Sequence, residues 1–445
     1  MVLLALPTGP ASTSLSEVSP SVPGPRMRQM KFVHAADVHL DAPLRGLARY
    51  RGAPLAEVRS STRKAFAGLV DLALEEEAAF VVIAGDLLDG ASKDYQTALF
   101  LNSEAVRLRD AEIPLLIVSG NHDAQSVLTK QLRLPDNVTL FSTKKPETLV
   151  FENVGVAIHG QGFDRREVFD NLAANFPSAV DGCVNVGVLH TSITGREGHE
   201  GYAPCTLEEL RAFGYDYWAL GHVHSREVLS SDPWIVFSGC TQGRHIRETN
   251  PGGASLVSVE DGMVVEVVHR TLDVLRWALL DVDIAGLDED GMFDRLREAL
   301  IASVANADGR FVALRVVLSG TTPLHRSLVA DGERFLNEVR SLATDVAYGQ
   351  AWLEQLKIAT EPPSDVARLV GRDDAIGGLL RRIRTTRTDE DALTRMASEL
   401  AEVRRKLSPS FFDEDFNLDD PVTLTRLVGD VEHLLMSRLA GAVES

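Results

Sequence analysis

Five apolar segments that each end in Asp, Asn or His constrain the fold of this 445-residue chain more than any other feature. Short runs of β-branched and other apolar residues without charge are typical of buried strands. In α/β sheets, ligands bind beyond the carboxyl ends of the strands. We therefore expect an α/β fold in which the polar clusters converge at one edge of a sheet. In chain order the clusters are AADVHL (35–40), AGDLLD (84–89), SGNHD (119–123), VLHT (188–191) and LGHVHS (220–225).

Each cluster taken alone has a structural explanation that competes with a functional one. Asp86 and Asp89 follow Gly85 closely, and Asp and Gly are common turn residues. A histidine near a strand end is more often a hydrogen-bonded structural residue than a ligand, and this is our interpretation of His34 and His159. Five such clusters in one chain, in this order, favour a metal site over five unrelated turns.

The residue types in the clusters predict which metals would bind. Imidazole, carboxylate and amide oxygen together suit Mn²⁺ or Fe²⁺ and are compatible with Zn²⁺, whereas soft metals prefer thiolates. A carboxylate can bridge two divalent ions held about 3.5–4 Å apart. Such a pair would lower the pKa of a shared water molecule and neutralise phosphate oxygens during an in-line displacement. The clusters therefore predict a phosphoester hydrolase that needs no nucleophilic side chain.

The sequence pattern changes three times along the chain. Residues 1–30 hold an apolar run without preceding positive charge and then a Ser- and Pro-rich run, which favours a disordered leader or a misassigned start codon over a signal peptide. Residues 31–271 alternate strand and helix patterns and form the expected catalytic domain. Residues 272–361 follow the order β-α-β-α-β and form an expected capping domain. Residues 362–445 are expected to be helical. The strands expected in the catalytic domain are 31–37, 80–85, 114–120, 154–160, 184–190 and 216–221.

Charge and cysteine content restrict the function and the compartment. The chain has 45 Lys and Arg against 64 Asp and Glu, a formal charge of −19. A non-specific nucleic-acid binder should carry a basic face, so DNA contact would be confined to a locally basic site with bound cations. Three cysteines without CxxC spacing argue against a disulfide framework and favour reduced thiols in a cytoplasmic protein. No stretch reaches the roughly 20 apolar residues of a membrane span.

The motifs D-x-H, GD-x-x-D, GNH-D, a strand-end His and GH-x-H, in this order, resemble the calcineurin-like metallophosphoesterase superfamily over residues 31 to about 245. Within that range the chain is similar to YhaO/SbcD-type DNA repair exonucleases. The resemblance implies a four-layer β-sandwich flanked by helices, followed by a small α+β capping domain and a helical C-terminal region. The segments that carry the second similarity are HAADVHLDAPLRGL, LHTSITGREGHEGYAPC, DYWALGHVH and QGRHIRE.

The resemblance also implies roles for individual residues. Two metal ions would share Asp86 as a bridging ligand. The other ligands of the first ion would be Asp37, His39 and His224. The other ligands of the second ion would be Asn121, His190 and His222. His122 would protonate the leaving oxygen or stabilise the transition state, and Asp89 would orient His122. Candidate contacts to substrate phosphate are Arg45, Arg49, Arg51, Arg244 and His245.

The expected function is a Mn²⁺-dependent 3′–5′ DNA exonuclease of DNA repair, with or without endonuclease activity, in which a metal-activated hydroxide attacks phosphorus in line. One alternative is a related hydrolase of nucleotides, cyclic nucleotides or phosphoproteins. Gly90 and Ala91 after GD-x-x-D argue against the protein-phosphatase branch, which has Arg-Gly there. Another alternative is a non-catalytic scaffold for a coiled-coil ATPase, although no motif ligand is missing.

Expected partners are DNA, an SMC-like or other coiled-coil ATPase, and a second copy of the chain in a homodimer. The ATPase would bind the C-terminal helices, whose apolar stripes include Leu393 and Leu424. Packing of these stripes on each other or on the cap is an equally good explanation of the same pattern.

Overall fold

Short buried strands pair into three sheets in the computed structural model of the chain. The structure describes residues 29–42, 55–89, 95–125, 134–193, 201–363, 371–406, 420 and 423–432. Among the described helices, none is long and apolar enough to cross a membrane. No disulfide joins Cys183, Cys205 and Cys240, in agreement with their spacing in the sequence.

The first sheet has six strands in the order β12-β11-β1-β2-β3-β4, of which β1 to β4 run parallel. Two helices, α1 (Leu55–Glu75) and α2 (Tyr95–Asp110), connect its central strands and bury their apolar sides on its outer face. The strands are β1 (Met30–Ala35), β2 (Val81–Ala84), β3 (Leu115–Val118), β4 (Val138–Leu140), β11 (Gly253–Glu260) and β12 (Met263–Thr271).

The second sheet stacks on the first and has the order β5-β6-β7-β8-β10-β9. The facing sides of the two sheets form one apolar core, in which Phe32 and Val82 of the first sheet meet Val186 and Tyr217 of the second. A short helix, α3 (Leu207–Ala212), and irregular segments cover its outer face, which gives four layers. The strands are β5 (Glu147–Phe151), β6 (Val156–Gly160), β7 (Val184–His190), β8 (Tyr217–Gly221), β9 (Glu227–Ser231) and β10 (Trp234–Phe237).

The polar clusters lie at the strand ends of both sheets, so the expectation of a single sheet edge is wrong. Clusters one to three follow β1, β2 and β3 of the first sheet, and the last two follow β7 and β8 of the second. Parallel buried strands have the same apolar pattern in either sheet. The sequence could therefore not show that the chain changes sheets between β4 and β5.

The first strand begins earlier than the sequence predicts. Met30 was assigned to the leader, yet it is buried and pairs with Val259 of β11 in the antiparallel register. The Gln29 side chain donates a hydrogen bond to Glu260 Oε1 at 2.9 Å. Cross-strand pairing thus holds Met30, and a side-chain hydrogen bond holds Gln29, although neither residue carries a strong strand pattern of its own. Residues 1–28 lie outside the described part of the chain.

The third sheet contains β13 (Leu275–Asp283), β14 (Phe311–Thr321) and β15 (Ala351–Glu361), all parallel. One helix lies between β13 and β14 and two lie between β14 and β15, so the order is β-α-β-α-α-β, where the sequence predicts β-α-β-α-β with a single second helix. The apolar residues of these helices, such as Leu296 and Phe335, form a core separate from that of the sandwich. The helices are α4 (Glu289–Ala305), α5 (His325–Ala330) and α6 (Gly332–Val346).

The C-terminal region contains α7 (Ala375–Thr388), α8 (Glu390–Lys406) and α9 (423–432). The Asp420 carboxylate accepts the Thr423 backbone N–H at 3.0 Å, which caps α9. Leu393 of α8 packs against Leu424 and Val428 of α9. The two apolar stripes therefore pack on each other, which is one of the two explanations that the sequence left open.

His34 joins the two sheets from inside the core, as expected for a structural histidine. Its Nδ1 lies 2.9 Å from the Tyr217 hydroxyl, and burial lowers the pKa of His34 to about 3. An unfolded histidine has a pKa near 6.5, so the unfolded chain binds one more proton below that pH. Binding of this proton stabilises the unfolded chain. The stability contributed by neutral His34 is therefore lost as pH falls from about 6.5 toward 3.

We predict that His34→Gln reduces the acid sensitivity of the fold. Below pH 6.5 the wild-type chain loses about 1.4 kcal/mol of unfolding free energy per pH unit through His34, and the variant lacks this loss. Thermal unfolding of both proteins at pH 7.5 and 5.5 measures the difference. The midpoint of the variant should fall less between the two pH values, and parallel decreases would contradict the prediction. The difference between the unfolding midpoints of the two proteins at pH 8 measures the effect of the substitution itself on stability.

Candidate metal centre

The ends of the two sheets bring the candidate ligands into three overlapping groups. In each group the ligand atoms lie within 4.8 Å of one another. The groups are Asp37, His39 and His224; Asp37, Asp86 and His190; and His39, Asp86 and His122. His222 is in none of these groups, although its ring centroid lies 5.3 Å from that of His190. The sequence-predicted ligands therefore come from both sheets and meet around Asp86.

Asp86 lies between the two sets of ligands. Its Oδ2 is 3.7 Å from Nε2 of His39 on one side and 3.6 Å from Nε2 of His190 on the other. Its Oδ1 accepts the backbone N–H of His122 at 2.9 Å. One oxygen is thus held by the protein while the other faces two imidazoles, which is the arrangement that a bridging carboxylate needs.

The His39 side supports the presence of a cation. Both ring nitrogens of His39 are buried and have no hydrogen-bond partner among the described residues. Burial raises the pKa of Asp37 and, together with the charge of Arg244, holds the pKa of His39 well below its usual range. Buried polar groups without partners are costly. A divalent ion bound by the Asp37 carboxylate and neutral His39 would satisfy both groups.

The His190 side fits a cation as well. His190 Nδ1 donates to the backbone carbonyl of Ala84 at 3.0 Å, so in the neutral imidazole Nε2 carries the lone pair. Nε2 then faces Oδ1 of Asn121 at 2.9 Å. Two acceptors at this separation would repel each other unless a cation lies beside both. Imidazole, amide oxygen and carboxylate are donors that Mn²⁺, Fe²⁺ and Zn²⁺ accept.

The backbone at the candidate ligands is strained. Asp37, His39 and Asp86 have φ values of 49°, 46° and 53°, and His222 has 101°. Left-handed conformations at residues other than glycine cost about 1–3 kcal/mol each and persist where surrounding bonds enforce them. Here the Asp37 and His39 N–H groups donate to the carbonyls of Gly85 and Asp86 at 3.0 and 2.9 Å. These bonds join the loops after β1 and β2.

His122 and Asp89 form a pair at the open side of the centre. Nδ1 of His122 lies 2.9 Å from Oδ1 of Asp89. This hydrogen bond, more than the nearby charges, raises the pKa of His122. The His122 side chain is 34% exposed, whereas that of His39, whose ring centroid is 4.8 Å away, is fully buried. His122 is thus a partly solvated imidazole whose outer nitrogen can reach a ligand at the centre.

Sequence reasoning missed Asp123, which follows His122 directly. Its buried carboxylate accepts three backbone N–H bonds, from Leu87 at 3.1 Å, Leu88 at 2.7 Å and Gly120 at 3.0 Å. Burial and the charge of Asp86 raise the pKa of Asp123 to about 7. Asp123 therefore connects the loop after β2 to the loop after β3. Its place as the last residue of SGNHD was the only signal in the sequence.

Sequence reasoning also missed Glu248, the last residue of the QGRHIRE segment. Its Oε1 lies 2.6 Å from Nδ1 of His224, and its Oε2 accepts the Arg244 backbone N–H at 2.6 Å. Burial would raise the pKa of Glu248, but the bond to His224 and the Arg244 charge outweigh burial and hold the pKa at about 2. The segment was recognised as similar to a nuclease subgroup, yet nothing in it showed which residue reaches the centre.

The candidate substrate contacts have different positions. The Arg244 guanidinium lies at the centre, with Nη2 3.4 Å from Nδ1 of His224, and its buried Nε has no hydrogen-bond partner in the described part of the chain. His245 is half exposed and lies 3.4 Å from Glu248 Oε1. Arg45 lies outside the described residues, as do Arg49 and Arg51. His159 bonds Thr148 and Asn185 within the second sheet, which agrees with a structural role.

We predict that Gly85→Ala disrupts the His190 side of the centre. Gly85 has a φ of +91°, and a Cβ there would overlap the His190 ring. The variant should keep its fold and bind about one divalent ion per chain instead of about two, as measured by elemental analysis after dialysis against excess Mn²⁺. Gly182→Ala is the matched control, since Gly182 has a φ of +77° but open space around it. Equal metal content in both variants would contradict the prediction.

Two family models match the chain. The model described as calcineurin-like phosphoesterase matches residues 30–226, which include every candidate ligand. The model described as the middle domain of metallophosphoesterase YhaO matches residues 277–361, which contain nearly all of the third sheet. The division of the chain into domains at 271 and 361 stays a prediction.

Individual relatives are bacterial and archaeal proteins. Metallophosphoesterase YhaO of Bacillus subtilis (strain 168) is 33% identical over 363 residues, which cover 80% of this chain and 88% of that protein. The DNA double-strand break repair protein Mre11 of Haloferax volcanii is 28% identical, over 72% of this chain and 71% of its own length. Mre11 of Sulfolobus acidocaldarius is 22% identical, over 67% and 78% respectively.

Proposed function

This chain belongs to the calcineurin-like metallophosphoesterases, and from that premise we propose that it hydrolyses phosphodiester bonds of DNA as a Mn²⁺-dependent 3′–5′ exonuclease of DNA repair, with or without endonuclease activity. The family makes it a hydrolytic enzyme. The observation that carries the proposal is the position of Asp86 between two sets of ligands, with His122 beside both. The likeness to proteins named for DNA double-strand break repair supports DNA as the substrate.

The chemistry divides between bound ions and side chains. When bound, two divalent ions would make a water molecule nucleophilic near neutral pH and neutralise charge on the phosphate. His122 is held by Asp89 with its pKa raised, so it keeps a proton that it can donate to the leaving oxygen. We assign the binding of a phosphate oxygen to the Arg244 guanidinium, whose Nη2 lies 3.4 Å from Nδ1 of His224. His245, at the exposed side of Glu248, is proposed as a weaker contact.

The acidic charge of the chain favours a second candidate function. At −19, the protein would repel a long polyanion away from its centre. A nucleotide, a cyclic nucleotide or a phosphoprotein would need fewer contacts with the surface. The coiled-coil ATPase and the homodimer stay predictions, as does the cytoplasmic location.

We predict that purified protein with Mn²⁺ shortens linear duplex DNA from its 3′ ends. Substrates labelled at the 5′ end should give a ladder of labelled products on a sequencing gel, and a chelator should stop the reaction. The same preparation is tested on cyclic nucleotides and on a small chromogenic phosphodiester. Hydrolysis of the small substrates alone, at every protein concentration tried, would reject DNA in favour of the second candidate.

We predict that His122→Asn separates catalysis from metal binding. The variant should lose about 10²- to 10⁴-fold in turnover, the usual contribution of general acid catalysis, while it retains both ions. Asp86→Ala should lose turnover and metal together, because it removes the shared ligand. Metal content and turnover are measured on the same preparations. A His122→Asn protein with half the normal metal would show that His122 is a ligand and not the acid.

A further inference from the structure

We propose that Glu248 positions His224 in the metal centre and that the third sheet holds Glu248 in place. The loop 242–248 would thus connect the capping region to one ligand set. The inference rests on the proposed function only in taking His224 as a metal ligand. It concerns residues that the metal-binding motifs do not include.

The bond between Glu248 and His224 fixes the state of the imidazole. Oε1 of Glu248 lies 2.6 Å from Nδ1 of His224, so Nδ1 carries the proton. The Nε2 lone pair is then directed toward Asp37, whose Oδ1 is 3.7 Å away. A carboxylate that orients a ligating histidine in this way increases the basicity of the ligand and its affinity for the ion.

The loop itself is folded tightly around Glu248. Oε2 of Glu248 accepts the Arg244 backbone N–H at 2.6 Å, and the Glu248 N–H donates to the His245 carbonyl at 2.9 Å. Gly243 passes between the Glu248 backbone and the Trp277 indole. A Cβ at Gly243 would lie 2.6 Å from the Glu248 carbonyl oxygen and 3.2 Å from Trp277 Cδ1. The loop therefore has little freedom to move without moving Glu248.

Strand β13 of the third sheet and the residue before it hold the start of this loop, at Gln242 and Gly243. Trp277 Nε1 donates to the Gly243 carbonyl at 3.0 Å. The Gln242 side chain accepts the N–H of Val274 at 2.9 Å and donates to the Leu275 carbonyl at 2.7 Å. Ile246 packs into an apolar cluster formed with the third sheet, whose other buried members are Leu275, Trp277, Ala313 and Trp352.

These contacts form a continuous path from the third sheet to the centre. Trp277 and Gln242 fix the loop, the loop fixes Glu248, and Glu248 fixes His224. Each step is a hydrogen bond of 3.0 Å or less; those of Trp277 and Gln242 are buried and those of Glu248 are partly buried. The path predicts that a disturbance of β13 weakens one of two metal sites and spares the other.

The test is a titration of metal-free, full-length protein with Mn²⁺, followed by calorimetry and electron paramagnetic resonance. Glu248→Gln should weaken one of the two sites about 10- to 100-fold and leave the other unchanged. At substoichiometric Mn²⁺ the variant should show the signal of isolated ions where the wild type shows coupled pairs. Glu266→Gln is the matched control, because it makes the same charge change on an exposed residue of β12. Equal affinities in Glu248→Gln and the wild type would overturn the proposal.

Trp277→Phe tests the path from the third sheet to the centre. It also replaces Glu248→Gln as the test if that variant does not fold. Loss of the indole hydrogen bond should weaken the same site about 3- to 10-fold. In the Glu248→Gln background it should cause no further loss, because both residues act through one loop. Unchanged affinity in the single variant, or losses that add in the double variant, would refute the path.

The titration separates this inference from the proposed function. Binding of one ion or none by the wild type would reject the dinuclear centre itself. Binding of two ions without cleavage of DNA would reject only the substrate. Binding of two ions by the wild type and by Glu248→Gln with equal affinity would reject only the positioning role of Glu248.

Discussion

The position of one buried carboxylate, that of Asp86, governs the arrangement around it. Asp86 stands at the end of β2, in the middle of the first sheet, and faces the ends of β7 and β8 across the sandwich. Its two oxygens have separate surroundings, one bonded to the His122 N–H and the other open to His39 and His190. Only a position between two stacked sheets lets a single side chain reach ligands from both.

Holding Asp86 there has an energetic cost, which nearby groups offset. Its own left-handed backbone and the burial of Asp37 and Asp123 beside it all oppose folding. Hydrogen bonds from backbone N–H groups offset part of this cost. Asp123 accepts three of them, and Asp37 accepts that of His222. The remaining excess of carboxylate charge is what a pair of divalent ions would neutralise. The strained backbone and the buried carboxylates therefore favour a centre with bound ions over one without them.

The sequence predicted the candidate centre better than its surroundings. Strands β2 and β7 end where the apolar pattern ends, and the polar residues after them converge as expected. The exchange between sheets was not predictable, because buried parallel strands look alike in either one. Asp123 and Glu248 were missed for another reason. The contacts that bring them to the centre, with the Leu87 and Leu88 N–H groups and with the His224 ring, are made to residues 24 to 36 positions away in the chain and leave no periodic pattern.

The acidity of the chain and the proposed polyanionic substrate are compatible if charge is considered locally. Acidic residues farther than about 8–10 Å from a phosphate are largely screened at physiological salt. Near the centre, two divalent ions would outweigh the Asp37 and Asp86 carboxylates, and the charge of Arg244 offsets that of Glu248 beside His224. A phosphate would therefore meet a positive site on a negative protein. Such a distribution disfavours binding along the length of a duplex and favours engagement of a single phosphate at a strand end, which is what an exonuclease needs.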